Sequence, residues 1–90
     1  DPAVRWQAGR ALGKIGEPAL PALPELVRQM AADPDPLVRE HAAEAIGDIG
    51  PAAATAVPDL AKALKDPAPK VRRDAVRGLG QMGPAARPVL

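Results

Sequence analysis

The chain repeats itself along its length, and this repetition leaves few folds open to 90 residues. Three segments align without gaps: "DPAVRWQAGRALGKIG" from Asp1, "DPLVREHAAEAIGDIG" from Asp35 and "APKVRRDAVRGLGQMG" from Ala68. Their first residues are 34 and 33 positions apart. Periods of this length are typical of arrays in which each unit buries its apolar face against the next. The sequence therefore predicts one domain of stacked units, about 1–34, 35–67 and an incomplete third over 68–90.

Each aligned segment has the pattern of an amphipathic helix. Apolar residues recur at three- and four-residue steps, which in the first unit gives Val4, Ala8, Leu12 and Ile15 as expected core residues. Proline is the second residue of each segment and the first of each predicted helix, where its missing N–H costs nothing. Glycine follows the last apolar residue, where helices commonly end. Asp1 and Asp35 precede the prolines as N-caps, whereas Ala68 has no capping side chain. These signals predict first helices over about 2–15, 36–49 and 69–82.

A shorter second helix is predicted in each complete unit. Pro24 and Pro58 are equivalent, and proline disfavours helical geometry in the residue before it. We therefore expect second helices over about 24–31 and 58–65, each preceded by one helical turn. Their expected buried residues are Leu26, Val27 and Met30 in one unit, and Leu60, Ala61 and Leu64 in the next. The third unit stops at Leu90, so its second helix is expected to be missing or only begun.

Gly13, Gly47 and Gly80 stand inside the first helices, at the same place in every unit. A glycine inside a helix costs about 1 kcal/mol relative to alanine, so its repetition needs a reason. We expect each of these glycines to mark a close approach of a partner helix. Gly9 and Gly78 are not repeated in this way, and the pattern predicts no role for them.

The repeated pattern also carries a family resemblance. "VRxxAxxALGxIG", present here from Val38-Arg39 to Ile49-Gly50, resembles the HEAT-like repeats related to those of phycobilisome lyases, a group of armadillo-like solenoids. The signatures of tetratricopeptide repeats (Trp-Leu-Gly-Tyr) and of ankyrin repeats (Thr-Pro-Leu-His) are absent. The resemblance implies an all-α, right-handed α-solenoid with first helices on the convex side and second helices on the concave side.

The same resemblance predicts a binding surface on the second helices. Its exposed concave ridge carries Glu25, Arg28 and Gln29 in the first unit, and Asp59, Lys62 and Ala63 in the second. Glu25/Arg28 and Asp59/Lys62 are each three residues apart with the acidic residue first, an order that also suits a solvated helix face. The ridge is therefore open to two interpretations, a binding surface or an ordinary polar face.

Composition restricts the partners and the chemistry. The formal net charge is +1, and 47% of residues are hydrophobic, with Trp6 as the only aromatic side chain. We see no basic stripe for nucleic acid and no apolar run of membrane-spanning length. Cysteine is absent, which excludes disulfides and thiolate metal sites. We therefore expect neither a nucleic-acid nor a membrane partner. The compartment is unassigned, with the cytoplasm as the default.

Two patterns in the first helices invite functional interpretations. Arg5, Arg39 and Arg72 form a column that we interpret as structural, with each guanidinium bonded to acidic or carbonyl groups between stacked units. Glu40-His41-x-x-Glu44 has helical spacing compatible with metal ligation. Because this motif holds the single histidine of the chain, we interpret it as a surface histidine paired with a carboxylate.

Trp6 replaces the polar residues Glu40 and Arg73 of the other units. Two interpretations stay open for it: packing over the N-terminal end of the stack, or contact with a partner, since tryptophan is enriched in interface hot spots.

No catalytic constellation is present. The chain has no serine or tyrosine, one histidine and Thr55 as its only hydroxyl side chain, so a Ser–His or Cys–His system cannot be assembled. We expect no enzyme activity, cofactor or metal. The favoured function is a scaffold that binds a protein or peptide and forms part of a longer HEAT array. The alternatives are a structural spacer, a designed repeat scaffold, a bilin-lyase-like accessory or a metal-dependent HEAT enzyme.

The ends of the array suggest a further contact. Repeat proteins need polar end units, because each unit buries an apolar face against its neighbour. The sequence shows no such cap, and Leu60 and Leu64 are expected to be incompletely covered near an apolar terminus, Val89 and Leu90. Possible end-to-end self-association follows as a prediction.

Overall fold

A computed structural model describes residues 1–89, with side chains for residues 1–86. It contains five α-helices, which are α1 (Pro2–Ile15), α2 (Leu23–Ala32), α3 (Pro36–Ile49), α4 (Val57–Ala63) and α5 (Pro69–Gln81). Three 3-10 segments lie between or after them, over Glu17–Ala22, Pro51–Ala56 and Gly83–Val89. There is no strand within residues 1–89, so the all-α prediction is confirmed. None of these helices is long and apolar enough to cross a membrane.

The first helices begin and end where the sequence signals place them. The carboxylates of Asp1 and Asp35 accept hydrogen bonds from the backbone N–H groups of Ala3 and Leu37, both at 2.9 Å. These contacts satisfy N–H groups that lack a partner within the helix. Gly16 and Gly50 follow α1 and α3 with φ of 77° and 87°, a left-handed region that favours glycine.

The second helices differ slightly from the prediction. Each starts one residue before its proline, and α4 ends at Ala63 instead of near residue 65. The helical turns expected before them are six-residue 3-10 segments. In the first of these segments Pro21 lies inside the turn and withholds an N–H group that a continuous α-helix needs.

The core is continuous across the stack and is built from aliphatic side chains. Leu12 packs against it from the first unit, while Ile46 and Leu79 are completely buried in the second and third. The largest fully buried side chains are Leu26, Met30, Ile46, Leu60, Leu79, Met82, Val38 and Val71. The molecule is a flat slab of 36 × 30 × 16 Å. These features agree with a short solenoid, and its right-handed sense stays a prediction.

The close approaches expected at the repeated glycines occur at two of the three positions. A Cβ on Gly13 would lie 2.9 Å from the Cα of Ala45, and one on Gly47 would lie 2.9 Å from the Cα of Gly78. Real Cβ atoms do not approach a backbone so closely, so α3 can pack this tightly on α1 and α5 only through glycine.

The expectation for Gly80 is wrong. A Cβ there would meet nothing within 4 Å, because the matching face of α5 has no helix against it among the described residues. Gly78, for which the repeat pattern predicted no role, is instead the residue that receives Gly47. Gly13 and Gly47 face the first helix of the following unit, whereas no described helix lies against Gly80.

The apolar stripe of α1 is exposed, whereas the sequence predicted that it would lie in the core. Val4 and Ile15 are 63% and 57% exposed, whereas their counterparts Val38 and Ile49 in α3 are 1% and 4% exposed. The reason is that α1 packs against this face of α3, whereas no described residue covers the equivalent face of α1. The expected exposure of Leu60 is likewise wrong, as its side chain is completely buried beside Gly78. The apolar terminus proposed at Leu90 lies outside the described residues, as does the side chain of Val89.

Candidate interaction surfaces

The arginine column forms ion pairs with the ends of the second helices. Arg5 Nε lies 2.7 Å from Asp33 Oδ2, and Arg39 Nε lies 2.9 Å from Asp66 Oδ2. In both pairs a second guanidinium nitrogen reaches the other carboxylate oxygen, at 3.2 and 3.3 Å. This two-point geometry fixes the end of each second helix against the first helix of its own unit.

The same column also connects successive units. Arg39 Nη1 donates to the carbonyl oxygen of Asp33 at 2.9 Å, and Arg72 Nη1 donates to that of Asp66 at 2.8 Å. Each arginine therefore holds the loop at the end of the preceding unit. The structural interpretation of the column is confirmed, because these groups are engaged within the fold.

The first of these pairs gives stability a dependence on pH. The hydrogen bonds from Arg5 hold the pKa of Asp33 below its usual value, although burial acts in the opposite direction. A carboxyl group with a lowered pKa in the folded state stabilises the fold at pH values above its unfolded pKa. That contribution is lost as the pH falls through the folded pKa.

The predicted binding residues of α2 lie together along one open groove. Glu25, Arg28 and Gln29 line a groove of about 200 Å³ that is closed at one end by Arg5 and Asp33. Glu25 and Arg28 form an ion pair with each other, and both side chains are more than half exposed. This ion pair lies within α2 and connects it to no other helix.

The predicted residues of α4 line a second groove at the equivalent position. Asp59 and Lys62 lie on the wall of a space of about 290 Å³, together with Met30 and Pro67. Among the described side chains, these two charges form no ion pair with each other within 4 Å. Ala63 was expected on the same ridge, but it is buried against the core, at 8% exposure.

Trp6 contacts the second unit instead of covering the end of the stack. Its ring stacks on His41 of α3, with centroids 4.7 Å apart and planes 21° from parallel. Packing over the N-terminal end is therefore not what engages this ring. Trp6 remains half-buried, and its role as a partner contact stays a prediction.

The Glu-His-x-x-Glu motif is a local pair. His41 Nδ1 lies 3.7 Å from Glu44 Oε1, the carboxylate inferred as its partner, but it has no hydrogen-bond partner, and the residue is half-buried instead of lying at the surface. Among residues with described side chains, no three acidic or histidine groups come together as metal ligands would. Glu40 turns away towards α5, where its Oε1 lies 3.5 Å from Arg73 Nη2.

One functional group was missed by the sequence analysis, the carboxyl of Asp74. It is 3% exposed at the interface of α5 with α3, and its Oδ2 has no hydrogen-bond partner. Burial raises its pKa, Arg73 opposes that shift, and Glu40 and Glu44 add to it. Asp74 is equivalent to His41 and Gln7 in the repeat, so no repetition of residue type marked the position as buried.

We expect Asp74→Asn to raise the free energy of unfolding at pH 7 by about 1 kcal/mol, because the burial of this charge outweighs its contact with Arg73, whose Nε lies 3.5 Å from Oδ1. A carboxyl with a raised pKa stabilises the fold fully only below its unfolded pKa, and loses that contribution as the pH rises through its folded pKa. The difference between variant and wild type should therefore shrink towards pH 3. Urea unfolding across this pH range measures it.

The control for this prediction is Glu17→Gln, which removes an exposed acidic charge and should change stability by less than about 0.5 kcal/mol. A less stable Asp74→Asn protein at pH 7 would show that the carboxylate stabilises the interface.

Paired helices that repeat along one axis and bury a continuous aliphatic core define an all-α solenoid. Comparison with family models identifies this class more closely: the model described as HEAT repeats matches residues 23–90. A second model, described as PBS lyase HEAT-like repeat, matches residues 4–29. The chain belongs to the HEAT-repeat family. A search of curated proteins finds no match. HEAT repeats are commonly protein-interaction or scaffold modules, and such families are generally non-catalytic.

Proposed function

We propose that this chain is a non-catalytic module that binds a protein or peptide along the ridge of its second helices. The observation that carries the proposal is the repetition of an open groove at α2 and again at α4. The first is lined by Glu25, Arg28 and Gln29, and the second by Asp59 and Lys62. Polar side chains that line open grooves on successive units suit a ligand that extends along the array.

The rigidity of the surface supports this function. Because the arginine column ties each second helix to its own unit and to the next, the two grooves keep a fixed spacing. A preformed surface loses little conformational entropy on binding, which favours affinity. We further propose that these grooves lie on the concave side, that the chain is one domain with units of about 1–34, 35–67 and 68–90, and that it forms part of a longer HEAT array.

We expect the double charge reversal Arg28→Glu and Lys62→Glu to weaken ligand binding by at least about tenfold, since charged interface groups steer and fix a partner. The ligand is a peptide selected from a displayed random library against the immobilised 90-residue chain. Its affinity is measured by titration calorimetry. Each exposed reversal should change stability by less than about 0.5 kcal/mol.

The matched control carries the same change in charge away from the ridge, at the exposed residues Lys14 and Lys70. Selected peptides should shift the amide resonances of α2 and α4. If binding survives the reversal of Arg28 and Lys62, the second-helix ridge is not the binding surface. The remaining functional alternative, a structural spacer or designed scaffold, predicts that no selected peptide binds this ridge.

A further inference from the structure

An apolar groove lies between the first turns of α3 and α5. We call it the α3–α5 groove, and its volume is about 390 Å³. The residues that line it are Pro36, Leu37 and Glu40 of α3, with Ala68, Pro69 and Lys70 at the start of α5. None of these residues belongs to a second helix. This surface is therefore separate from the second-helix ridge and does not depend on the proposed function.

The α3–α5 groove lies within the stack and not at one of its ends. Leu37 is in the middle unit, where α3 packs against both α1 and α5, and it is nevertheless 39% exposed. A further unit beyond α5 would pack on the face that contains Gly80, as α5 packs on the face of α3 that contains Gly47. The groove therefore stays open in a longer array.

The walls of the α3–α5 groove are apolar and rigid. Pro36, Ala68 and Pro69 have no side-chain rotamers to lose when a ligand binds, so only Leu37 is ordered among the apolar lining residues. A preformed surface of this kind lowers the entropic cost of binding. An aromatic side chain, which buries roughly 150–250 Å², gains most from such a surface.

The first junction of the stack contains an aromatic ring that the second junction lacks. Trp6 is equivalent to Glu40 in the repeat, and its ring reaches from α1 to α3, where it stacks on His41. At the junction of α3 with α5, Glu40 instead lies 3.5 Å from Arg73 and contributes no ring. The open groove is thus at the junction that has no aromatic side chain of its own, which favours a ring supplied by a partner.

The charges at the rim of the α3–α5 groove favour an acidic neighbour for that ring. Lys70 is exposed and forms no ion pair within 4 Å among the described side chains. Glu40, the other charged residue of the lining, is already paired with Arg73. The charge that the fold leaves uncompensated here is therefore positive, and a carboxylate complements it.

We propose that the α3–α5 groove binds a short segment of a partner protein through one aromatic side chain with an acidic residue next to it. The ring lies against Leu37 and the two prolines, and the carboxylate pairs with Lys70. A second copy of the chain is a poor occupant, because its only aromatic side chain, Trp6, is already stacked on His41. The end-to-end association predicted from the sequence concerns other faces and stays a prediction.

The experiment titrates the isotope-labelled 90-residue chain with the capped peptide Gly-Ser-Trp-Asp-Ser-Gly and follows it by heteronuclear NMR. We expect saturable shifts of the amide resonances of Leu37 and Lys70, and nuclear Overhauser effects between the indole protons and the Leu37 methyl groups. A peptide with alanine in place of tryptophan should cause no such shifts. A peptide with asparagine in place of aspartate should bind about threefold more weakly, the usual effect of an exposed ion pair.

Matched variants of the chain test each half of the contact. Leu37→Asn should raise the dissociation constant at least about tenfold, because it removes the apolar contact of the anchoring ring. Val76→Asn makes the same kind of change at a residue of α5 that is 55% exposed and lies outside the groove, and it should have no effect. Lys70→Gln should weaken binding about threefold. Lys14→Gln, an equal loss of charge on α1, should leave it unchanged.

Four results would overturn the proposal. The first is the absence of saturable shifts with wild-type protein whose helical circular dichroism is intact. The second is equal binding of the peptide that lacks tryptophan. The third is equally tight binding of N-acetyltryptophanamide, which would assign the groove to a small aromatic molecule. The fourth is a set of shifts confined to α2 and α4 and lost with Arg28→Glu and Lys62→Glu together, which would place the peptide on the second-helix ridge.

Discussion

Replacing Arg39 with alanine should lower the free energy of unfolding by about 2 kcal/mol, because it breaks a part-buried, two-point ion pair. Asp66, whose side chain is 9% exposed beside Arg39, loses its cation, and the carbonyl oxygens of Asp33 and Pro34 lose their donor. A domain of this size is stabilised by roughly 5–13 kcal/mol in total, so the loss is a large fraction. Urea unfolding followed by circular dichroism measures the change.

Arg72 provides the matched control for Arg39. It occupies the same position in the third unit and donates to the carbonyl oxygens of Asp66 and Pro67, but no carboxylate meets it among the described residues. We expect Arg72→Ala to cost only about 1 kcal/mol, the usual range for such hydrogen bonds. Equal effects at the two positions would mean that the carboxylate contact adds nothing to stability.

Most of the backbone could be predicted because its signals are local. The capping aspartates, the opening prolines and the terminal glycines act through residues within one turn, and they placed α1 and α3 to the residue. The pairing of Arg39 with an acidic or carbonyl group was also predictable, because repetition at a fixed offset implies a contact that recurs with the fold.

The failures of sequence reasoning share one physical cause. Gly80 and Val4 have the same local pattern as residues that are packed tightly, yet their faces have no neighbour among the described residues. The burial of a helix face depends on whether another unit packs against it. The helical period of the sequence indicates only which face is apolar. Asp74 is the opposite case, a buried residue that was expected to be exposed. Its polar side chain gave no indication that it lies between α5 and α3.

The candidate binding residues were only partly predictable for a similar reason. The period placed Glu25, Arg28 and Lys62 on exposed helix faces, and they are exposed. Ala63 shares the register of Gln29, but it is buried at 8% exposure, whereas Gln29 is half-buried. The helical register therefore identified which residues form the ridge, but not how deeply each of them is buried.

Gly47→Ala should lower the free energy of unfolding by about 1 kcal/mol, although alanine is the better helix former. The new Cβ would lie 2.9 Å from the Cα of Gly78 and would also press on the carboxamide oxygen of Gln81. The Gln81 side chain can rotate away, but the Gly78 backbone moves only if α3 and α5 separate. Overpacking of this kind costs roughly 1–3 kcal/mol and exceeds the gain of about 1 kcal/mol in helix propensity.

Gly80→Ala is the same chemical change on an open face, and it should have the opposite sign. A Cβ at Gly80 meets nothing within 4 Å, so only the propensity gain of roughly 0.5–1 kcal/mol remains. Thermal and urea unfolding of both variants therefore tests the packing directly, since helix propensity alone predicts stabilisation at both sites. If Gly47→Ala stabilises the protein as Gly80→Ala does, α3 and α5 do not meet backbone to backbone. If both changes destabilise, a helix covers Gly80 in solution, and the face of α5 is occupied.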